Sequence, residues 1–456
     1  MSSLADDAST SSGTTCRPRL FVYDLPPRYR YEGRAEGQGF PPPLNLTEPL
    51  RGFPPSVELR AADTYVAGGI FLARALAYRC RTLNPSKADL FFIPAFTDHI
   101  GGRPGAICAD ASLNTNTGKM TNCSRDRLFE RLEAAAPGAL HARGGSDHIV
   151  LQPRHGYAFD LVPTAEFRYT DKRLGHAIRF SMEEGNVEYE WPGSRTKTFF
   201  HSTPFTSFVN AEPATPWGSL PWRAQPRRDV LVGVAFNAIH KMGPAVGQMN
   251  ALRDRLLSSC KAAADPSLCT VLPLSPTNLQ IRGYHMRLLE RIVALYWRST
   301  FCLQPIGDAC TRKATIDSLL LGCIPVIFHK CQTLQWPWHW GQWLREATVY
   351  IDIRNVTTGS KASVDVVQYL RSIPAAKVAR MQHAIATHAH CLHYRMPESG
   401  ASSSDSMVGA ANDAFDITLK GSWLIAKQQQ QQTQDTAALN AQLERLCRPA
   451  PLRIVR

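Results

Sequence analysis

Short apolar runs in the first half of the chain alternate with segments of helical periodicity. The runs at 20–23, 89–94 and 148–152 are continuous rather than alternating, which is typical of strands buried on both faces of a sheet. Between them, 64–81 and 124–136 carry apolar residues three or four positions apart, which predicts helices. Strands that alternate with helices predict a parallel sheet that is covered on both sides.

The second half repeats the same alternation. Apolar runs predict strands at 229–236, 301–304 and 325–328. Helical spacing predicts helices at 247–261, 283–297, 311–321, 375–390 and 412–424. Gly322 follows the third of these helices directly, where a C′ glycine is expected.

A proline-rich stretch separates the two halves. It contains Pro213, Pro216, Pro221 and Pro226, a spacing that predicts a stiff, irregular linker. The sequence therefore predicts an α/β protein with two Rossmann-like domains that face a central cleft, where ligands bind at the carboxyl ends of strands. The predicted division is a disordered lead at 1–17, an N-terminal domain at 18–211, the linker at 212–228, a C-terminal domain at 229–410, a C-terminal helix at 411–426 and a low-complexity tail at 427–456.

Composition narrows the class of protein. Hydrophobic residues make up 44% of the chain and charged residues 20%, which is ordinary for a globular protein with a buried core. No stretch approaches the roughly 18 consecutive apolar residues needed to cross a bilayer. The net charge of +13 is spread along the chain without a basic block or a nucleic-acid-binding motif, so nucleic acid is not expected as a partner.

The cysteines and glycosylation motifs favour a secretory compartment. Twelve cysteines are present, and Cys108 with Cys123 or Cys260 with Cys269 can pair across short loops, although sequence alone does not fix the pairing. No cysteine or histidine cluster has zinc spacing. Asn-x-Ser/Thr motifs occur at Asn45, Asn122 and Asn355. The polar start at 1–17 has no apolar signal region, so we expect either a cytosolic chain or a targeting segment that is missing from this sequence.

The stretch at 301–327 carries the most chemical information. It reads FCLQPIGDACTRKATIDSLLLGCIPVI, which predicts a strand, a glycine-containing turn, a helix and a second strand. Free backbone N–H groups at the start of such a helix bind anions, and phosphate above all. Thr311 adds a hydroxyl donor there. Arg312 and Lys313 add two cations that are unfavourable beside a helix N-terminus unless an anion offsets them.

Two structural alternatives remain open for this stretch. Lys313 and Asp317 are four residues apart and can form an ordinary helical ion pair, worth about 0.3–0.5 kcal/mol. Asp308 can serve only as a helix cap. The motif is neither a P-loop nor a full GxGxxG, so residue chemistry alone leaves the phosphate site and these alternatives side by side.

The stretch closely resembles the signature of the exostosin family, glycosyltransferase family 47, which looks like FCLxPxGDxxTRxxxFDAxxxGCIPV. Other pieces follow in the family's order. Residues 21–26 resemble its opening strand, 84–94 its DPxxADxFFVP segment, and 413–416 a closing DAFD motif of plant-type members, which include the xyloglucan galactosyltransferases. Asp147 and His148 before an apolar strand are similar as well. The resemblance covers about 18–425.

The resemblance implies fold, reaction and location. Members have the GT-B fold, with the acceptor on the N-terminal domain and the nucleotide sugar held mainly by the C-terminal one. They transfer a sugar, here most simply galactose, with inversion from a UDP-sugar to a hydroxyl of a polysaccharide or glycoprotein glycan. No cofactor and no metal are then expected, and related glycosyltransferases are expected as homo- or hetero-oligomeric partners. Members are held in the Golgi membrane by one N-terminal helix, with the enzyme domain in the lumen. We therefore expect a Golgi enzyme whose anchor is missing from this sequence.

Roles for individual residues follow from the same resemblance. Arg312 and Lys313 are expected to hold the pyrophosphate, with Gly307 allowing close approach of the backbone. Asp308, Thr311, Asp317 and Arg282 complete the predicted nucleotide-sugar site, with Thr311 donating to phosphate and Asp317 accepting from ribose hydroxyls. The general base is expected from the N-terminal domain, at Asp98 or at His99.

Three further alternatives stay open. The chain can instead be a catalytically silent subunit that binds glycan as the partner of an active exostosin-type enzyme, and this alternative also explains the resemblance. His148 and His155 either line the acceptor cleft or are structural histidines. The tryptophans that follow the signature either stack on sugar rings or pack as a lid, and they are Trp336, Trp338, Trp340 and Trp343.

Overall fold

The computed structural model describes most of both predicted halves. The described residues are 16–25, 50–53, 59, 67–94, 123–151, 176–183, 200–209, 217–224, 227–239, 246–274, 282–307, 310, 312–357, 363–395, 412–431 and 435–449. Among them, no helix is both long enough and apolar enough to cross a membrane.

In the described part of the first half, five parallel strands form a sheet in the order β1-β2-β3-β4-β5. The strands are β1 Leu20–Val22, β2 Leu90–Ile93, β3 His148–Leu151, β4 Ile178–Ser181 and β5 Phe200–Ser202. The helices of this half are α1 Ala67–Leu76, α2 Cys123–Ala135 and α3 Ala139–Ala142.

Both faces of this sheet are buried, which explains the continuous apolar runs. Leu90 and Phe92 of β2 enter the larger core together with Phe71 of α1. Phe91 and Ile93, which point to the opposite face, enter a second core that is covered by α2. Each fully buried side chain of this kind contributes about 1.5–3 kcal/mol of transfer free energy. The prediction of a parallel sheet with two covered faces is therefore confirmed for this half.

In the second half, the described residues form another sheet of five parallel strands, in the order β10-β9-β8-β6-β7. The strands are β6 Val230–Val234, β7 Cys269–Val271, β8 Ser299–Gln304, β9 Ile324–Ile327 and β10 Val349–Tyr350. Since the chain order runs outward in both directions from β6 and β8, this is a doubly wound sheet with its switch point between those two strands.

Helices surround and follow this second sheet. They are α4 Val246–Ala263, α5 Arg282–Arg298, α6 Lys313–Leu320, α7 Leu344–Ala347, α8 Ile353–Thr357, α9 Val366–Arg371, α10 Ala375–His388, α11 Ala414–Gln431 and α12 Thr436–Leu443. Gly322 has a φ of 73°, so the predicted C′ glycine at the end of α6 is confirmed. The start of α6 was predicted two residues too early, because Arg312 is extended and acts as the N-cap.

Four strands were not predicted. β4, β5, β7 and β10 are two to four residues long, and unlike β1, β2 and β3 none of them contains three consecutive apolar residues, so they lack the continuous apolar run that predicts a buried strand. The two parallel sheets are compatible with a Rossmann-like, GT-B-type fold. The domain boundaries and the central cleft stay predictions. Within the predicted linker, Leu220 and Trp222 are buried in the larger core.

The tryptophan cluster packs between the two halves. Trp336, Trp338, Trp340 and Trp343 are at most 4% exposed, so they are packed in the core and offer no open face for stacking on a sugar. Their predicted position as a lid over the cleft stays a prediction. The backbone N–H of Trp336 donates to the Ser202 hydroxyl at 2.8 Å, and the Trp336 indole donates to the Met182 carbonyl at 3.2 Å. The end of the first sheet is thereby tied to the segment that follows β9.

Helix α11 returns to the N-terminal half. Phe415 in its first turn packs on Phe71 of α1, with ring centroids 4.7 Å apart. Farther along the same helix, Gly421 lies directly against the ring of Trp338. A Cβ at this position would sit 2.4 Å from a ring carbon, so a glycine is required for this approach.

Five disulfides tie distant parts of the described chain together. They are Cys16–Cys80, Cys260–Cys269, Cys302–Cys323, Cys310–Cys331 and Cys391–Cys447. The predicted Cys260–Cys269 pair is confirmed. Cys108 lies outside the described residues, and the side chain of Cys123 does too. Disulfides persist in oxidising compartments, so this set favours the secretory alternative.

Arg228 clamps the ends of two helices. Its guanidinium donates to the carbonyls of Tyr296, Trp297 and Ser299 at the end of α5, at 3.2, 3.1 and 2.7 Å. It also donates to the carbonyl of Leu321 after α6, at 3.0 Å. Helix C-termini carry unsatisfied carbonyls and partial negative charge, so a cation is favourable there. Burial lowers the pKa of Arg228 to about 10, which leaves it charged at neutral pH.

We predict that Arg228→Met lowers the free energy of unfolding by about 2–4 kcal/mol, because several hydrogen bonds from a charged donor are lost at once. Arg227→Met is the matched control, since the neighbouring arginine is exposed. Urea unfolding under non-reducing conditions measures both. Equal stability of the two variants would contradict the clamp.

We predict that Gly421→Ala lowers the free energy of unfolding by about 1–3 kcal/mol, because the added methyl group overlaps the Trp338 ring. Gly247→Ala in α4 is the control: nothing lies within 4 Å of its added Cβ, so a stability equal to or slightly above wild type is expected. A Gly421→Ala protein as stable as the control would show that α11 does not depend on this contact.

Candidate functional site

The switch point of the C-terminal sheet creates a crevice where loops leave in opposite directions. β6 and β8 are hydrogen-bonded neighbours. From β6 the chain continues through α4 to β7 on one side of this pair, and from β8 it continues through α6 to β9 on the other side. Ligands of open α/β sheets bind outside the carboxyl ends of strands at this position. The loop at 305–307 therefore lies where the sequence predicts the anion site.

Gly307 and Arg312 are brought together at the end of β8. A Cβ on Gly307 would sit 3.3 Å from Cγ of Arg312, so the aliphatic part of the arginine packs on the glycine backbone. One guanidinium nitrogen of Arg312 is 3.4 Å from Oε1 of Gln304 and 3.3 Å from the Pro305 carbonyl. Arg312 is thereby held across the loop at the start of α6, which is the neighbourhood predicted for the diphosphate.

A buried glutamine pair fixes the end of β8. The Gln332 amide nitrogen donates to the Gln304 carbonyl at 2.9 Å, and its oxygen accepts from the backbone N–H groups of Phe328 and His329, at 2.9 and 3.1 Å. Gln304 in turn donates to the Tyr296 hydroxyl at 3.3 Å. Burial raises the pKa of Tyr296, which stays neutral. The β8 and β9 ends therefore form a rigid frame behind Arg312.

Sequence analysis missed Arg253. This side chain is only 4% exposed, and its guanidinium joins the loops after β6 and β8 by donating to the carbonyls of Asn237 at 2.8 Å and Ile306 at 3.0 Å. It lies on the buried face of α4 with Met249, Leu252 and Leu256. The sequence did carry one indication of this role, because Arg253 is the only charged residue among the buried positions of this helix. Arg253 fixes the backbone on both sides of the switch point.

Lys313 and Asp317 adopt the ion pair that sequence analysis left open. The Lys313 ammonium is 2.9 Å from both carboxylate oxygens of Asp317 and 3.3 Å from the centre of the Phe208 ring. Asp317 is 2% exposed and also accepts from the Ser207 hydroxyl at 2.8 Å and the Phe208 N–H at 3.3 Å. The Asp317 carboxylate thus already accepts hydrogen bonds from protein groups, and its contact with ribose stays a prediction.

The buried charge of Asp317 is compensated by Lys313 and by hydrogen bonds from other protein groups. Burial raises the pKa of Asp317, while Lys313, Ser207 and Phe208 oppose that shift. A buried carboxylate is costly unless a cation and hydrogen bonds compensate it, and both are present here. Of the two cations at the start of α6, Lys313 is neutralised by Asp317, whereas Arg312 contacts carbonyl oxygens. Arg312 is therefore the better placed of the two to face a phosphate.

Several predicted residues fall outside this description. The two candidate bases, Asp98 and His99, lie outside the described residues, and so do Asp308 and Thr311 of the signature. Arg282 is the first residue of α5, and its side chain is not among those described. Their roles stay predictions.

His148 is a structural histidine. It is fully buried, its Nδ1 is 2.8 Å from Asp147, and its Nε2 is 2.9 Å from the Tyr23 hydroxyl. Its ring stacks on Phe91 at 4.7 Å. The alternative that His148 lines an acceptor cleft is thereby excluded, and His155 lies outside the described residues.

Two disulfides frame the signature segment. Cys302–Cys323 joins β8 to the residue before β9, and Cys310–Cys331 joins the loop before α6 to the turn after β9. His329 lies beside the second pair, so the ligand atoms of three residues, Cys310, His329 and Cys331, come within 4.8 Å of one another. The two sulfurs are joined to each other, however, and metals bind thiolates rather than disulfides.

Comparison with known proteins identifies the family. The Exostosin GT47 domain matches residues 15–364. In Arabidopsis thaliana, probable xyloglucan galactosyltransferase GT17 is 26% identical over 366 residues, which cover 78% of this chain and 73% of that protein. Probable xyloglucan galactosyltransferase GT15 is 22% identical over 436 residues, which cover 90% and 83%. Xyloglucan-specific galacturonosyltransferase 1 is 24% identical over 420 residues, which cover 88% and 56%.

The domain match spans well over half of the chain and includes the switch point, Gly307 and Arg312. The chain belongs to the exostosin GT47 family and is a glycosyltransferase.

Proposed function

We propose that this glycosyltransferase transfers a sugar, most simply galactose, from a UDP-sugar to a hydroxyl of a cell-wall polysaccharide, with inversion at the anomeric carbon. The observation that carries the proposal is Arg312, packed on Gly307 at the start of α6 beside the switch point. Two of the relatives above are named as xyloglucan galactosyltransferases, which favours a xyloglucan-like acceptor and galactose. A third is named for galacturonic acid, so the family likeness alone does not select the sugar.

The proposed reaction is a single displacement. The acceptor oxygen forms a bond to the anomeric carbon while the bond from that carbon to the diphosphate oxygen breaks. The electron pair leaves with UDP, and the hydroxyl proton passes to a general base. We assign the base to Asp98, with His99 as the alternative.

Charge on the departing diphosphate is the main electrostatic demand of this reaction. In the proposal, the Arg312 guanidinium and the backbone N–H groups at the start of α6 face the developing charge, with Thr311 as an added donor. The Gln304–Gln332 frame and Arg253 keep the loop at 305–307 in place, so little reorganisation accompanies bond cleavage. The proposal therefore needs no metal ion, and transfer is expected to continue in the presence of a chelator.

We also propose that the enzyme works in the Golgi lumen. The five disulfides require an oxidising compartment. Asn355, one of the three glycosylation motifs, is exposed on α8. Association with related glycosyltransferases stays a prediction.

We predict that Arg312→Ala weakens UDP binding by about 10- to 100-fold, because a charge-assisted hydrogen bond contributes about 1.5–3 kcal/mol. Titration calorimetry of the folded protein with UDP measures the change. Arg298→Ala is the matched control, since Arg298, the last residue of α5, is an exposed arginine paired with Asp229. Unchanged affinity of Arg312→Ala would remove its role, and a wild-type protein that does not bind UDP would overturn the donor class.

We predict that Asp98→Asn lowers transfer by about 100-fold or more while UDP affinity stays unchanged, because general-base catalysis contributes about 10²–10⁴-fold. Transfer from UDP-galactose to xyloglucan oligosaccharides, followed by mass spectrometry, measures the rate. His99→Ala is tested in parallel. A large loss in His99→Ala with near-normal Asp98→Asn would reassign the base, and full activity in both would exclude this segment.

A further inference from the structure

A basic pocket lies beside β1, an edge strand of the first sheet, and shares no lining residue with the loop at 305–307. It has a volume of about 320 Å³ and lies between the residues that lead into β1, the end of α1 and the first turns of α11. The backbone N–H of Leu20, the first residue of β1, donates to the Cys80 carbonyl, so the segment that follows α1 lies beside the N-terminal end of β1. Gly307 and Arg312, in contrast, follow the carboxyl end of a strand in the second sheet.

Positive charge dominates the walls of the pocket. Of its lining residues, one is a carboxylate, Asp416, and five are cations, namely Arg17, Arg74, Arg79, Arg395 and Lys420. Burial and the neighbouring Asp413 raise the pKa of Asp416, although Arg74 opposes that shift. The pocket carries a clear positive surplus.

Arg74 is a buried cation in the wall of this pocket. It is 6% exposed and binds Asp413 at 3.0 Å and Asp416 at 3.5 Å through one terminal nitrogen. Its Nε is buried out of reach of solvent. Arg74 therefore adds to the positive charge of the pocket, and direct contact with a ligand falls to the more exposed cations.

Two further cations are available at the rim. Arg79 is exposed and Lys420 is half-buried, and no described carboxylate lies within ion-pair distance of either one. Arg17 is already paired with Asp89 at 3.5 Å. As far as the described residues go, Arg79 and Lys420 can meet a ligand anion without first breaking an ion pair, which lowers the cost of binding.

The pocket also has aromatic walls. Tyr78 and Trp423 line it, and Lys427 covers one face of the Trp423 ring at 3.7 Å. A flat aromatic surface suits the apolar face of a pyranose ring, whereas an isolated inorganic anion does not use one. The volume falls at the lower end of the range for small-ligand sites.

We propose that this pocket binds an acidic sugar, a pyranose ring that carries a carboxylate, as part of a polysaccharide. Arg79 and Lys420 supply the donors for the carboxylate, and Tyr78 and Trp423 supply the surface for the ring. The enzyme thereby holds an acidic glycan at a point that shares no lining residue with the candidate nucleotide site. The inference does not depend on the identity of the donor sugar.

Titration calorimetry of the whole protein with trigalacturonate at low ionic strength tests the proposal, and a neutral galactose trisaccharide serves as the uncharged comparison. Lys420→Glu and Arg79→Glu are each expected to weaken trigalacturonate binding by about tenfold, because each replaces an attractive charge by a repulsive one. Arg345→Glu, an equal charge change at an exposed arginine on α7, is expected to leave it unchanged. UDP affinity is expected to stay the same in all three variants.

Each contrary result would overturn a definite part of the proposal. Equal binding of the neutral trisaccharide would exclude a charge-selected site, and equally tight binding of inorganic phosphate would exclude the sugar. Equal loss in Arg345→Glu would indicate diffuse surface charge. Competition by UDP would show that trigalacturonate occupies the nucleotide site instead. Loss of UDP binding alone would bear on the proposed function and leave the pocket unaffected.

Discussion

The buried carboxylate of Asp317 holds α6 against the segment that follows β5. It accepts from Ser207 and Phe208 of the first half and from Lys313 of its own helix. A buried charge is tolerated only when its partners are in place, so this contact couples the position of α6 to the N-terminal half. The candidate phosphate site begins at the same helix, and its geometry therefore depends on both halves.

The same contact explains how two adjacent cations can start a helix. Lys313 would oppose the helix dipole, but Asp317 neutralises it at 2.9 Å. Arg312, one residue earlier, is directed to carbonyl oxygens of the loop at 304–305. The start of the helix therefore keeps Arg312 beside the loop, close to the first backbone N–H groups of the helix. A diphosphate bound there would contact both.

Helix α11 connects the core to the basic pocket. Phe415 and Gly421 fix the helix on α1 and on Trp338, while Asp416, Lys420 and Trp423 of the same helix line the pocket. Consecutive turns of one helix therefore perform both tasks. Arg74 of α1 reinforces this arrangement through its bonds to Asp413 and Asp416.

The sequence by itself determined the parallel strands with two buried faces, the helices between them and the glycine end of α6, and it named Cys260–Cys269 as one possible pair. These features are local, since hydrophobic period and turn residues act over a few positions. Only the tertiary structure decided that Lys313 pairs with Asp317, that the tryptophans are core, that Arg253 bridges two loops and that a basic pocket exists. Lys313 and Asp317 are only four residues apart, but the surroundings that select their pairing come from elsewhere in the chain, as Ser207 bonds to Asp317 and Trp336 bonds to Met182. The partners of such side chains are selected by packing in three dimensions, which no local pattern encodes.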